Sequence, residues 1–249
     1  MFDRALVLQK YEVQFFRCPR CGFIATEEPF WLSEAYRAAI NRSDVGYVGR
    51  NIAFSKMLQS IILLMFRPAS QFIDFGGGYG MFVRLMRDLG FDFWWQDKFC
   101  ENLFAQSFEL SGDNLPKFEL LTAFEVFEHL NDPLTGIEEM LGLSDSIIFS
   151  TAVVPDPPPS LNNWGYYGLE HGQHVAFYSR PALEHIARHY RLHLLSYGGY
   201  IHLLSRRKPS ELRWNIALNR YSKFLINLLC HRESLLWKDS DRVIRTLRD

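Results

Sequence analysis

The stretch that decides the fold is QFIDFGGGYGMFVRLMRDLG, residues 71–90, in which a short apolar strand leads through a glycine loop into a helical pattern. Glycines let a backbone approach a ligand where a Cβ atom would clash. The start of the helix adds free N–H groups and a partial positive charge. Because ligands of open α/β sheets bind at the carboxyl ends of the strands, this loop predicts a binding site.

The segments around the loop alternate between strand and helix patterns. Further strands are predicted at FDFWWQD (91–97), ELLTAF (119–124) and SIIFSTAVV (146–154). This alternation predicts an α/β fold with a doubly wound, mostly parallel sheet covered on both faces. The segments RLHLLSYGG and YIHLLSRR meet at Gly198 and Gly199, and they predict a hairpin that adds an antiparallel edge.

The composition bounds the class of protein. The 249 residues are 48% apolar, which supplies a full core and excludes a mainly disordered chain, and the formal net charge of −1 gives no reason to expect a nucleic-acid partner. The start of the chain lacks a secretory pattern, and the longest apolar run has six residues, residues 61–66, whereas a spanning helix needs ~20. We therefore expect a soluble, cytoplasmic protein.

Three regions are predicted along the chain. Residues 1–32 form an N-terminal segment with a cysteine knuckle, residues 33–208 form the main α/β domain, and residues 209–249 form a basic helical extension. From residue 205 onward, 11 Lys and Arg stand against 5 Asp and Glu. The extension could pack on the main domain, pair with a second copy in a homodimer, or lie on an anionic membrane surface.

The acids near the glycine loop narrow the ligand class. The dinucleotide fingerprint G-x-G-x-x-G fails because Met81 stands at the third glycine position. Asp74 leads the loop and would repel a pyrophosphate, but it suits a ligand with a cationic amino-acid end. Asp97 follows Gly76 by 21 residues, the spacing at which an acid accepts hydrogen bonds from a ribose diol. The alternative for Asp97 is an ordinary surface acid in a turn.

Taken together, the motifs resemble a known family. The loop at residues 74–80, Asp97, the segment EVFEHLNDP (125–133) and HVAFYS (174–179) resemble class I S-adenosylmethionine-dependent methyltransferases, in the subgroup typified by ubiquinone-biosynthesis O-methyltransferases. The resemblance implies a seven-stranded Rossmann-like sheet with an antiparallel edge hairpin. It also implies that S-adenosylmethionine is the cofactor.

The resemblance assigns the cofactor-binding residues position by position. The loop would pass the methionine moiety, Asp74 would hold water or the amino group, Asp97 would hold the ribose, and Glu125 would lie in the floor of the site. The adenine would lie near Lys98, Phe99 and the stretch after Phe108. The loop glycines in this assignment are Gly76, Gly77, Gly78 and Gly80.

Methyl transfer to a hydroxyl needs a positioned acceptor and removal of its proton. Histidine is the natural base near neutral pH, and His129, His171 and His174 are candidates. Glu128 could orient His129. Each of these residues could instead have a purely structural role, and the His171-x-x-His174 spacing has no evident third metal ligand.

Cys18 and Cys21 form a C-P-R-C-G turn with the shape of half a zinc knuckle. A structural zinc needs four ligands, and only Cys100 and Cys230 remain in the chain. A packing turn is the favoured interpretation, and zinc is the alternative.

The sequence therefore predicts a methyltransferase for a small-molecule acceptor such as a sugar or a biosynthetic intermediate, with oxygen as the methylated atom. Two alternatives stay open. One is a nucleotide-dependent oxidoreductase or epimerase on a similar sheet, and the other is a non-catalytic partner protein that keeps the fold.

Overall fold

The computed structural model describes residues 1–37, 44–110, 117–230 and 232–246. The chain divides into two compact units. The first unit comprises Met1–Asn41, Phe124–Glu139 and Ile148–Arg207. The second unit comprises Arg42–Ala123, Met140–Ile147 and Lys208–Asp249.

The strands and helices alternate along the chain. The strands are β1 (Asp3–Val7), β2 (Tyr11–Arg17), β3 (Ile24–Thr26), β4 (Gln71–Phe75), β5 (Asp92–Gln96), β6 (Leu120–Ala123), β7 (Ser146–Ser150), β8 (Ala176–Phe177), β9 (His193–Tyr197) and β10 (Ile201–Ser205). The helices are α1 (Leu32–Ala35), α2 (Tyr47–Met65), α3 (Met81–Asp88), α4 (Pro133–Leu143), α5 (Arg180–His189), α6 (Glu211–Leu218), α7 (Arg220–Leu229) and α8 (Leu236–Thr246).

A six-stranded sheet has the order β5-β4-β6-β7-β10-β9. Strand β4 runs parallel to both β5 and β6, and β9 and β10 form an antiparallel hairpin at one edge. The α/β architecture and the edge hairpin are thus confirmed. The described residues place six strands in this sheet, where seven were expected. Strand β8 follows β7 in the chain, but its two residues pair with β3 in a different sheet.

The N-terminal residues build that second sheet, with the order β1-β2-β3-β8. All of its pairs are antiparallel, and Ile24 of β3 lies opposite Phe177 of β8. Phe15, Trp31 and Tyr167 are at most 2% exposed in the hydrophobic core beneath this sheet. The predicted segment 1–32 therefore shares a sheet and a core with residues of the predicted domain 33–208. The predicted domain boundaries remain a prediction.

The core of the second unit is aromatic and aliphatic. Phe72 and Phe93, on neighbouring parallel strands, stack with their ring centroids 5.1 Å apart. Helix α2 buries Leu58 and Ile61 completely. Burial of such side chains contributes about 1.5–3 kcal/mol each, so this packing fixes the strand that leads into the glycine loop.

In its described residues, the basic extension forms three helices. The spacing of its apolar residues predicts one face of a single helix, which would carry Trp214, Leu218, Tyr221, Leu225 and Leu228. Asn219 ends α6 and caps α7 by accepting hydrogen bonds from the backbone N–H groups of Tyr221 and Ser222. Trp214 of α6 is buried, whereas Tyr221 is 78% exposed. The prediction of one continuous helical face was therefore wrong, because the cap turns the chain between the two halves of the stripe.

Helix α8 is held to α3 by a buried ion pair. The guanidinium of Arg87 donates two hydrogen bonds of 2.8 Å to the carboxylate of Asp239. Over the parts of the chain that the structure describes, no helix is both long enough and apolar enough to cross a membrane.

Helix α5 offers a test of the first unit's stability. The Oγ of Ser179 accepts a hydrogen bond from the backbone N–H of Ala182 at 3.1 Å and donates one to the backbone oxygen of Cys21. Because a lost N-cap costs about 1–2 kcal/mol and this one also secures the cysteine turn, we expect Ser179→Ala to lower the free energy of unfolding by about 2 kcal/mol in urea titration. Ser210→Ala, at the exposed cap of α6, should cost clearly less. Equal losses in the two variants would contradict the role of the Cys21 contact.

Candidate functional site

The glycine loop connects β4 to α3 with a backbone that needs glycine. Gly76, Gly78 and Gly80 have φ angles of +67°, +53° and +83°. At Gly80, which caps α3, an added Cβ would lie 2.4 Å from Oδ1 of Asn102. At Gly77, an added Cβ would lie 2.7 Å from Cδ1 of Trp95. The loop therefore presents bare backbone at the end of a central strand.

Two side chains from the next strand and its turn hold this loop. Nε1 of Trp95 donates a hydrogen bond of 2.9 Å to the backbone oxygen of Gly78, and the Gly78 N–H donates one of 2.9 Å to Oδ2 of Asp97. Oδ1 of Asp97 accepts from the N–H groups of Phe99 at 2.7 Å and Cys100 at 2.9 Å. A carboxylate offers about four lone-pair positions, so at least three are used. The sequence predicts that Asp97 accepts hydrogen bonds from two ribose hydroxyls. The second of these bonds would have to share the Asp97 oxygen that accepts from the N–H of Gly78.

Asp74 is the penultimate residue of β4 and is buried at 4% exposure. Its Oδ1 accepts a hydrogen bond of 2.6 Å from Oγ1 of Thr122. Burial is the main cause that raises the pKa of Asp74 to about 7; the Thr122 hydrogen bond opposes this shift, and the negative charge of Asp97 adds to it. Near neutral pH this carboxyl is therefore poised between its two protonation states, and a nearby cation would favour the ionised one.

Several residues around the loop were not anticipated. Asn102 accepts from the N–H of Ala105 at 2.9 Å and donates to Oε1 of Glu109 at 2.7 Å, which orders the turn behind the helix start. The Tyr47 hydroxyl lies 3.6 Å from the position of a Cβ on Gly78, and burial raises the pKa of Tyr47 to about 12. Neither residue belongs to a local motif, so only their neighbours in space identify them.

The structure describes only some of the residues that are predicted to lie near the adenine. Phe99 is 78% exposed and Phe108 is buried, and contact of this region with adenine stays a prediction. Residues 111–116 of the stretch after Phe108 lie outside the described residues.

A second cluster of chemical groups lies within the first unit. Glu128 and His129 belong to a 3₁₀ turn, Phe127–His129, and His174 precedes β8. One ligand-type atom from each of these three side chains lies within 4.8 Å of the other two. The ring centroids of His129 and His174 are 4.9 Å apart. The structure thus brings together the three residues that the sequence nominated for catalysis.

The histidines of this cluster are held by backbone carbonyl groups. Nδ1 of His129 lies 3.0 Å from the backbone oxygen of Gln173, and Nδ1 of His174 lies 2.6 Å from that of Tyr166. Burial lowers the pKa of His129 to about 4 and lowers the pKa of His174 well below its usual value, and the neighbouring histidines add to both effects. Both rings are therefore neutral at physiological pH.

Glu125 lies at the end of β6 in a strained conformation, with a φ angle of +54°. Its backbone N–H donates to Oγ of Ser150 at 2.7 Å, and its Oε1 accepts from the hydroxyls of Ser150 and Tyr200, both at 2.5 Å. Burial and this carboxylate raise the pKa of Tyr200. These contacts hold the side chain of Glu125 against β7 and the β9–β10 hairpin, and its predicted cofactor role stays a prediction.

The cysteine pair lies in the turn between β2 and β3. The N–H of Gly22 donates to the backbone oxygen of Cys18 at 2.9 Å, which closes the turn. Backbone N–H groups of Cys21 and Arg20 lower the pKa of the Cys18 thiol, whereas burial raises the pKa of Cys21. Within the described part of the chain, no third metal-ligand side chain converges on Cys18 and Cys21. Zinc binding by this pair remains an open prediction.

Comparisons with known proteins identify a family. A family model described as a methyltransferase domain matches residues 50–197. A search of curated protein sequences found no match.

Solved structures with a similar fold include three methyltransferases. Human N-acetylserotonin methyltransferase in complex with SAM is 15% identical, covers 72% of this chain and 66% of its own, and gives a TM-score of 0.41. The plantazolicin methyltransferase BpumL with SAH is 9% identical over 70% of this chain and 90% of its own, with a TM-score of 0.49. Magnesium protoporphyrin IX methyltransferase from Synechocystis PCC 6803 with SAH is 16% identical over 71% of this chain and 94% of its own, with a TM-score of 0.43.

Proposed function

Because the chain belongs to the methyltransferase domain family, we propose that it transfers a methyl group from S-adenosylmethionine to a hydroxyl oxygen of a small molecule. The observation that carries the proposal is the loop of bare backbone joined to Asp97 through Gly78, with Asp74 buried at the preceding strand end. A preference for an oxygen acceptor rests on the resemblance of residues 125–133 to ubiquinone-biosynthesis O-methyltransferases.

Each part of the loop has a role in this proposal. The backbone at Gly76 and Gly78 passes the methionine moiety, since no Cβ is present to exclude it. Asp97 uses its remaining lone pair for a ribose hydroxyl. Asp74 faces the cationic amino group of the cofactor, which stabilises its ionised form.

The transfer itself is an in-line displacement. The acceptor oxygen forms a bond to the methyl carbon while the carbon–sulfur bond breaks, and its electron pair stays on sulfur as S-adenosylhomocysteine leaves. We propose that Glu128, His129 and His174 prepare the acceptor hydroxyl. Their lone pairs can accept the proton of the acceptor hydroxyl directly, or they can hold a cation that lowers the pKa of that hydroxyl.

The decisive experiment compares ligands and turnover on the full chain. Calorimetry should detect binding of S-adenosylmethionine and S-adenosylhomocysteine but not of NAD, and a labelled methyl donor should mark a compound in a metabolite pool. Tight NAD binding without binding of either sulfur compound would overturn the proposal in favour of an oxidoreductase or epimerase. Cofactor binding without any labelled product would favour a non-catalytic partner protein.

The buried carboxyl predicts a proton release on cofactor binding. In the free protein the pKa of Asp74 is raised from 3.8 to about 7, so much of this carboxyl is protonated at pH 6.5. The amino group of S-adenosylmethionine would lower that pKa, so binding should release up to about one proton at pH 6.5 and almost none from Asp74 at pH 8.5. Calorimetry in buffers of different ionisation enthalpy measures this release, and Asp74→Asn removes the contribution of Asp74 from that of the ligand. Identical proton release in both proteins would contradict the assignment.

The same shift affects stability in the absence of ligand. Because the pKa of Asp74 is higher in the folded protein than in the unfolded chain, its protonated form favours folding. This contribution to the free energy of unfolding is fully present below pH 3.8 and is lost as the pH rises through about 7. The slope is at most about 1.4 kcal/mol per pH unit. Asp74→Asn should therefore flatten the pH dependence of unfolding between pH 4 and 7.

A further inference from the structure

We propose that Glu128, His129 and His174 bind a divalent transition metal of the zinc type through two imidazole nitrogens and one carboxylate oxygen. The three ligand atoms already lie within 4.8 Å of one another. Ligands placed tetrahedrally at ~2.1 Å from zinc are about 3.4 Å apart, so small side-chain rotations would close the site. The metal site stands on these residues alone, and its use in acceptor activation rests on the proposed function.

The hydrogen bonds of the two rings prepare them as ligands. A backbone carbonyl only accepts hydrogen bonds, so the contact to Tyr166 places the proton of His174 on Nδ1. The contact to Gln173 favours the same tautomer for His129, whose Nδ1 also lies 2.9 Å from the hydroxyl of Tyr36. Nε2 of each ring then carries a lone pair. Metal-binding histidines almost always donate their other N–H to a carbonyl or carboxylate in this manner, which fixes both the tautomer and the ring orientation.

The third histidine has the opposite arrangement. Nδ1 of His171 accepts a hydrogen bond of 3.1 Å from the backbone N–H of Gln173, so the proton of a neutral His171 ring lies on Nε2. Only the second histidine of the His171-x-x-His174 pair is therefore ready to ligate. The remaining ligands are Glu128 and His129. His129 lies 45 residues before His174, so the His171-x-x-His174 spacing does not reveal them.

The charge of the cluster also favours a cation. Glu128 is fully buried at 0% exposure, so its carboxyl group lies away from water beside the two imidazole rings. A bound divalent ion would meet one carboxylate and two imidazole donors, the combination found in catalytic zinc sites of the His₂Glu type.

Three protein ligands leave a position open for a further one. The hydroxyl of an acceptor bound there would have a lowered pKa, and its proton would pass to solvent before the oxygen attacks the methyl carbon.

Metal binding can be measured without any assay of activity. The full chain is treated with a chelator and titrated with Co²⁺, and zinc affinity is then measured by competition with a chromophoric chelator. We expect one tight equivalent, with visible Co²⁺ bands and without the intense near-ultraviolet band of a thiolate ligand. His174→Gln and the isosteric Glu128→Gln should each weaken zinc binding by about 100-fold or more, with thermal unfolding measured in parallel to confirm that both variants fold.

Two controls separate this site from the others that could take the metal. His185 and His189 lie one turn apart on the exposed face of α5 with ring centroids 6.4 Å apart, and replacing both by glutamine should leave the tight site intact. Cys18→Ser should also leave it intact. Absence of a tight site, or unchanged affinity in both cluster variants, would overturn the proposal.

Parallel calorimetry with S-adenosylhomocysteine distinguishes the two proposals. Metal binding without cofactor binding would leave the metal site standing and remove the proposed function. Cofactor binding by a protein that takes up no metal would do the reverse.

Discussion

Replacing Asp97 by alanine is expected to weaken binding of S-adenosylhomocysteine by at least about 100-fold. The carboxylate accepts hydrogen bonds from the N–H groups of Gly78, Phe99 and Cys100, so it fixes both the glycine loop and the turn after β5. Hydrogen bonds to charged groups contribute about 1.5–3 kcal/mol each, and a factor of 100 corresponds to about 2.8 kcal/mol. Loss of the loop contact and of the proposed ribose contact together reaches that value.

The matched control is Asp88→Ala on α3. Asp88 forms an exposed i,i+4 pair with Arg84, and such pairs contribute only about 0.3–0.5 kcal/mol. Affinity by calorimetry should therefore remain within about threefold of the wild-type value. If Asp97→Ala keeps a folded structure and an unchanged affinity, the carboxylate has no part in cofactor binding.

Replacing Gly80 by alanine is expected to lower both stability and cofactor affinity. The φ angle of +83° costs an L-residue about 1–2 kcal/mol, and the new Cβ would meet Oδ1 of Asn102 at 2.4 Å and the N–H nitrogen of Ala105 at 3.2 Å. Neither neighbour can retreat freely, because Asn102 is itself hydrogen-bonded to Ala105. We expect a loss of about 2–4 kcal/mol in the free energy of unfolding and at least about tenfold in affinity.

Gly49→Ala supplies the contrasting result. Gly49 lies in α2 with nothing within 4 Å of an added Cβ, and its φ angle is not positive. Alanine in a helix is favoured over glycine by up to about 1 kcal/mol, so this variant should be stabilised and should bind the cofactor normally. A Gly80→Ala protein as stable as Gly49→Ala would show that the loop does not need bare backbone at its end.

Local preferences made much of the fold predictable. The run of glycines predicted a tight loop, and three of its members have the positive φ angles that glycine tolerates. Helix α5 has Pro181 in its first turn, where the fixed φ angle of proline suits a helix, and the β9–β10 hairpin turns at Gly198 and Gly199, both with positive φ. These features depend on residues that are neighbours in the chain, so their pattern is visible in the sequence.

Long-range pairing was not predictable in the same way. The two residues of β8 join the N-terminal sheet by pairing with β3, in which Ile24 lies opposite Phe177, 153 residues further along the chain. Helices α6 and α7 share one apolar period, but the cap at Asn219 separates a buried half from an exposed half. A hydrophobic period shows which residues share a face, and it does not show what covers that face.

The sequence by itself determined the strand–loop–helix unit, the two acids beside it and the nomination of Glu128, His129 and His174. Only the tertiary structure decided which neighbours shift the pKa of Asp74 and which neighbours orient the rings of His129 and His174. Burial raises the pKa of Asp74 against the hydrogen bond from Thr122, and the carbonyls of Gln173 and Tyr166 favour a proton on Nδ1 of the two histidines. The reason is that backbone conformation follows from adjacent residues, whereas desolvation and hydrogen bonding depend on groups that folding brings together from distant parts of the chain.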